Sequence, residues 1–213
     1  MQFNDVLKQS INQYKDIPLV QRQIEDYFER NKAARIYAEL CEKNNWPLIF
    51  DHLTIRTYDI DKASEPYLSL GWKYDETIEY KNEGWWAKVF RNAPYAPFFI
   101  DQAYIGVKDH IITKWVDKFG DKSFHHIAVR LPQGLEIEEV ISKLQLASIH
   151  FPGSITGGKG SRLRQVFSQA EIIDGTPFSV LELAQRDKNP QNGLIYEGFI
   201  SEQADSLMKD SIL

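Results

Sequence analysis

Apolar residues recur at helical spacing along the first 46 positions: Val6, Leu7 and Ile11, then Ile24, Tyr27 and Phe28, then Ile36, Tyr37, Leu40 and Cys41. Ile17-Pro18 interrupts the pattern and predicts at least two helices, because the residue before a proline is pushed out of the helical region. Cys41 falls on the apolar stripe and reads as a buried core thiol. After Trp46-Pro47 the period shortens to two. Strand-like segments fall near 49–57, 72–80, 85–91 and 97–105, with a short helix near 61–70. A linker helix is predicted over 109–119, with Ile111, Ile112, Trp115, Val116 and Phe119 on one side. The grammar then restarts with strand 124–131, helix 135–146 and β-like runs near 149–155, 162–170 and 177–184. The tail from Asn189 is mixed and ends in a weakly amphipathic helix.

The order β-α-β-β-β is thus written twice. It predicts an α+β fold: two such modules forming a curved mixed sheet or half-barrel around a pocket, with an N-terminal helical extension. The expected organisation is a helical segment over 1–48 and a first module over 49–107. A linker helix and second module follow over 108–188, then a tail over 189–213, all in one globular domain.

The first strands of the two modules match in detail. Phe50-Asp51-His52-Leu53-Thr54-Ile55-Arg56 lies over Phe124-His125-His126-Ile127-Ala128-Val129-Arg130 at an offset of 126 − 52 = 74. Phe, His and Arg coincide, and the intervening apolar positions agree in character. With period two, His52, Thr54 and Arg56 share one face of the first strand; His126, Ala128 and Arg130 share one face of the second. Two such strands in one curved sheet would point both histidines into one cavity.

Composition narrows the chemistry. The 213 residues carry 43% hydrophobic and 26% charged side chains, the mark of a globular chain. The net charge of −5 argues against broad electrostatic binding to nucleic acid or an anionic membrane. No run approaches the roughly 20 apolar residues of a membrane span, and the N-terminus has no secretory pattern, so a cytoplasmic location is expected. A single cysteine excludes Cys-rich zinc and iron–sulfur sites, which leaves His, Asp and Glu as metal donors. Of five histidines, His110 reads as a surface residue of the linker helix and His150 as structural. His125 reads as a support behind the ligand, although a strand bulge would exchange it with His126.

Two histidines and one carboxylate make the facial triad of non-haem Fe(II) enzymes, with open positions for substrate and oxygen. Glu182 interrupts the apolar run Phe178–Ala184, where an ionised carboxylate is costly to bury without a partner, and is the favoured third ligand. Asp101, at the end of the first module, is the runner-up. Arg56 lies four residues beyond His52 on the same face, roughly 13 Å along an extended strand. Its fork suits a bidentate grip on a carboxylate, with Arg130 and Arg164 as further substrate contacts. Gly153–Gly160 fits part of a phosphate loop, but Gly160 replaces the required hydroxyl residue and no helix pattern follows, which excludes that reading.

Duplicated modules with His52 and His126 on their first strands and Glu182 on the last resemble the vicinal oxygen chelate superfamily. More narrowly, His52-Leu53-Thr54-Ile55-Arg56 with His126 and Glu182 resembles the 2-oxoadipate dioxygenase/decarboxylase (hydroxyglutarate synthase) family, over roughly residues 25 to 200. The resemblance implies Fe(II) on His52, His126 and Glu182, a substrate carboxylate on Arg56, and a small 2-oxo acid that is decarboxylated and hydroxylated with O2. Members known for that reaction are longer, so this chain is expected to be a short member. Two other functions fit the same residues. One is a glyoxalase-like lyase, isomerase or hydrolase that uses Zn, Ni or Mn as a Lewis acid. The other is a non-catalytic module that binds a small acid.

Overall fold

The computed structural model describes residues 3–107, 109–188 and 192–212. Positions 108 and 189, where the second module and the tail were expected to begin, lie outside the described residues. The fold is α+β. Its main sheet has seven strands in the order β2-β3-β4-β1-β5-β9-β6. Contacts divide the chain into two compact units. Unit 2 is His52–Ile127; unit 1 takes the residues up to Asp51 and those from Ala128 onward. The divisions fall inside β1 (Ile49–Arg56) and β5 (Ser123–Arg130), so each unit holds part of both strands. No helix of the described residues is long and apolar enough to cross a membrane.

Unit 1 begins with three helices, α1 (Asp5–Asn12), α2 (Pro18–Arg30) and α3 (Lys32–Asn44). Pro18 at the first turn of α2 confirms the break expected there. A second break, at Asn31, was not expected. Asn31 is the C-cap of α2 and the N-cap of α3, its side chain accepting from Ala34 N at 2.8 Å. Its amide also donates to Ser179 Oγ at 3.0 Å, beside Tyr27 Oη donating to Val180 O at 2.7 Å. These two bonds pin the helices to the start of β9 (Val180–Arg186). Cys41 is fully buried on the apolar stripe, as expected, and burial pushes its thiol up to about 12.

The rest of unit 1 holds α6 (Ile137–Leu146), β6 (Leu163–Phe167), a hairpin of β7 (Ile172–Ile173) and β8 (Thr176–Pro177), and α7 (Ser201–Asp210). The expected strand at 149–155 is a loop, because Ser148 has positive φ and Pro152 offers no amide hydrogen. Thr156 bridges to Gln165, His150 O accepts from Gln169 N at 2.7 Å, and Gln203 from α7 donates to Leu163 O at 3.0 Å, so a side chain replaces part of the missing ladder. His150 is exposed in that loop.

Unit 2 holds β1 from His52 onward, the elements that follow it, and β5 as far as Ile127. Antiparallel β2 (Lys73–Tyr80), β3 (Trp85–Arg91) and β4 (Phe98–Ala103) follow one another, and β4 returns parallel to β1. Helix α4 (Ile60–Ser69) packs on β4, where Tyr67, Trp72 and Phe98 meet through their rings. Helix α5 (Ile111–Phe119) also packs on β4. His110 differs from its expected exposed, solvated state. It is half-buried, caps α5 by accepting from Ile112 N at 3.1 Å, and holds Glu83 O through Nε2 at 3.1 Å.

Candidate metal centre

The two repeat histidines lie in unit 2, on β1 and β5. Their rings stand edge to face with centroids 5.6 Å apart, and both are buried. Phe99 of β4 closes one side of His52, at 6.2 Å between ring centroids. His125 does not point away from His126 as strict alternation requires. The two rings meet edge to face at 5.0 Å, with 2.8 Å between their Nδ1 atoms. Side chains adjacent along a strand leave the backbone toward opposite faces, so the two rings turn toward each other here. Trp115 of α5 packs on the far side of His125 at 5.6 Å. Burial first, then the neighbouring Arg56 and His126, hold the His125 pKa well below its usual 6.5.

Arg56 is almost fully buried, with its guanidinium 5.6 Å from the centre of the Trp115 ring. Burial lowers its pKa to about 10, partly offset by Asp101, its neighbour in the β1–β4 register. Asp101 is therefore the charge partner of Arg56.

Glu182 lies in unit 1, on β9, 1% exposed and flanked by Leu181 and Leu183. Its carboxylate accepts from Gln165 Nε2 on the neighbouring β6. Burying a carboxylate this deeply is favourable only where hydrogen bonds and positive charge replace water. Gln165 supplies a neutral donor, and a divalent cation is a species that would supply the charge. The donor set of imidazole nitrogen and carboxylate oxygen suits Fe(II), Zn(II), Ni(II) or Mn(II).

The backbone shows why Glu182 has no acidic twin. In unit 2, Thr57 N donates to Asp101 O at 3.0 Å; in unit 1, Leu131 N donates to Ala184 O at 2.9 Å. Leu131 follows Thr57 by the same offset of 131 − 57 = 74 that relates the histidines. Asp101 and Ala184 are thus equivalent, and two residues earlier so are Phe99 and Glu182. Asp101 is out of place as the runner-up ligand because it stands two residues beyond the equivalent position.

Arg130, Arg164 and Arg186 lie in unit 1 and are engaged by carboxylates of the chain. Arg130 donates through Nε to Asp51 at 2.9 Å and through both terminal nitrogens to Glu197 at 2.9 and 2.8 Å. Arg186, which sequence reasoning did not single out, meets the same Asp51 at 2.5 and 2.8 Å and also donates to Tyr196 O and Gly198 O. Arg164 grips Glu138 at 2.6 and 3.0 Å and drops its carboxyl to about 2. Arg164 also donates to Gly157 O in the glycine-rich loop, where a Cβ would stand 2.4 Å from Leu163 O.

No protein-family model matches the sequence, and no curated protein matches it in sequence. Solved structures do match in fold. The hydroxyglutarate synthase of Oryza sativa, in complex with 2-oxoadipate, superposes with a TM-score of 0.79 at 14% identity, over 96% of this chain and 94% of that one. A candidate hydrolase from Shewanella frigidimarina gives 0.70 at 18%, over 94% and 100%. A candidate glyoxalase-superfamily protein from Ralstonia eutropha gives 0.67 at 10%, over 85% and 84%. The fold is therefore that of the vicinal oxygen chelate proteins. The expected excess length of the hydroxyglutarate synthase group is not seen in the rice chain, of which little lies outside the match.

Proposed function

We propose that the chain is an Fe(II)-dependent dioxygenase acting on a small 2-oxo acid of the 2-oxoadipate kind, with decarboxylation and hydroxylation, and that His52, His126 and Glu182 hold the metal. The observation that carries the reading is the buried His52–His126 pair, one histidine from each copy of the repeat. Support comes also from the donors: His52 and His126 of unit 2 and Glu182 of unit 1 are each buried, and each is of a kind that ligates a divalent cation. The likeness in fold to a hydroxyglutarate synthase bound to 2-oxoadipate points to the substrate class.

A bound Fe(II) would supply open coordination positions for the 2-oxo acid and for O2. The chain's own residues supply the rest. Gln165 fixes one oxygen of Glu182 and so sets the direction of the other. Arg56, over the Trp115 ring, presents a positive charge for the substrate carboxylate, in competition with Asp101. Arg130 and Arg164 reach a substrate only by exchanging a carboxylate of the chain for one of the ligand. Phe99 gives His52 an apolar wall that keeps water from one side. The second reading, a glyoxalase-like or hydrolytic Lewis-acid enzyme, draws on the Ralstonia and Shewanella likenesses and uses the same three ligands.

The test is anaerobic purification, metal analysis and oxygen uptake with a panel of 2-oxo acids, with His52→Ala as control. Iron-dependent uptake that disappears in the variant supports the dioxygenase. Uptake that survives the substitution refutes the site. Bound metal without uptake, together with turnover of a glyoxalase or hydrolase substrate, favours the second reading.

A further inference from the structure

We infer that His125 is a positioning residue for His126, accepting the His126 Nδ1–H on its own Nδ1 and so leaving His126 Nε2 as the atom that ligates a metal. This rests on the metal reading above and assigns within it a proton that heavy-atom positions leave open. Two Nδ1 atoms 2.8 Å apart share one hydrogen, since two protons would collide and two lone pairs would repel. A neutral imidazole carries one N–H and one lone pair. If His125 were the donor, His126 would carry its proton on Nε2 and would have no lone pair left for a cation. Ligation by His126 therefore requires the opposite polarity, with His126 donating and His125 carrying its own proton on Nε2.

The surroundings suit that role. His125 is 1% exposed and clamped edge-on against Trp115, so its ring cannot swing away, and water does not compete for its Nδ1. Histidine ligands commonly donate their second nitrogen to a carboxylate or a carbonyl. Here the lone pair of a second imidazole does the same work. The first module has no equivalent arrangement. Asp51 fills the slot that matches His125, and it turns to Arg130 and Arg186.

The experiment uses the full chain as wild type, His125→Phe and His125→Asn. Phenylalanine keeps a ring against Trp115 but removes the acceptor; asparagine puts an amide oxygen near the place of Nδ1. Each metal-free protein is titrated with Zn(II) against a chromophoric chelator, with thermal unfolding followed in parallel. The expected result is a 10–100-fold loss of Zn(II) affinity in His125→Phe, largely recovered in His125→Asn. Nitrogen-15 spectra of the Zn(II)-loaded wild type should place protons on His126 Nδ1 and His125 Nε2. The inference is overturned by wild-type affinity in His125→Phe, by equal losses in both variants, or by the reverse proton placement. Wild type that binds no Zn(II), or binds it unchanged after His52→Ala, instead removes the metal reading, and this inference with it.

Discussion

Phe99 and Glu182 hold the same place in the two modules, each two residues before the carbonyl that receives the first amide beyond β1 or β5. Both first strands carry a histidine, but only one last strand carries a carboxylate at this place. On the proposed reading the chain therefore binds one cation, not two. Glu182→Gln should lower Zn(II) affinity by at least the 10–100-fold that loss of a supporting contact costs. Asp101→Asn should leave the stoichiometry at one. Two equivalents in wild type by titration calorimetry would contradict this.

Asp51 should be among the least replaceable residues of unit 1. Its side chain is fully buried and takes charged hydrogen bonds from Arg130 and Arg186. Asp51→Asn leaves Arg186 buried without its counter-charge and should cost about 3–5 kcal/mol in urea unfolding. Adding Arg186→Met should recover part of that loss. A double variant less stable than Asp51→Asn would show that the carbonyls of Tyr196 and Gly198 depend more on Arg186 than Asp51 does.

Glu138 gives a pH signature. Its pair with Arg164 lowers the carboxyl from 4.5 to about 2 in the folded chain. A carboxyl depressed on folding stabilises the protein above its unfolded pKa, and that contribution disappears as pH falls through the folded value. The window is therefore about pH 4.5 to 2. Glu138 is nearly half exposed, so solvent screening keeps the effect to about 1 kcal/mol or less. Glu138→Gln should flatten the stability profile in this window alone; an unchanged acid slope would show that the pair contributes nothing.

Cys41 should be chemically silent in the native state. With the thiol pushed up to about 12 and no surface exposed, alkylation at pH 8 should wait for unfolding. Rapid labelling of the folded protein by iodoacetamide, followed by mass spectrometry, would contradict the packing of α3.

The alternation of apolar and polar residues was enough to place most elements, because β3 and α6 follow their periods with little interruption. It could not place the loop at 149–155, whose composition resembles a strand but whose edge is covered by Gln203 from a distant helix. The β7–β8 hairpin was legible and overlooked: Asp174-Gly175, both at positive φ, is the pair a tight hairpin turn favours. The Asn31 break also had its signal in a capping residue. In the site, the repeat pointed to His52 and His126 from local identity. Phe99 as the counterpart of Glu182 was not legible, since it depends on which carbonyl faces Thr57, and register between distant strands is set by tertiary packing. The contact between His125 and His126 was hidden for a related reason. Period-two reasoning sends adjacent side chains to opposite faces and does not foresee two rings that turn back to meet.

The Asp51–Arg186 pair also bears on how the chain is made. Its members are 135 residues apart, with all of unit 2 between them. Unit 2 is continuous in sequence and can close as soon as residue 127 has left the ribosome. Unit 1 has to keep its first 51 residues waiting until β9 is synthesised, and closing so long a loop is entropically slow. Asp51 gains its first counter-charge when Arg130 is translated and its second only with Arg186, and burying its carboxylate before either would be strongly unfavourable. An acidic residue early in the chain thus ties the closing of its own unit to two arginines that are translated later.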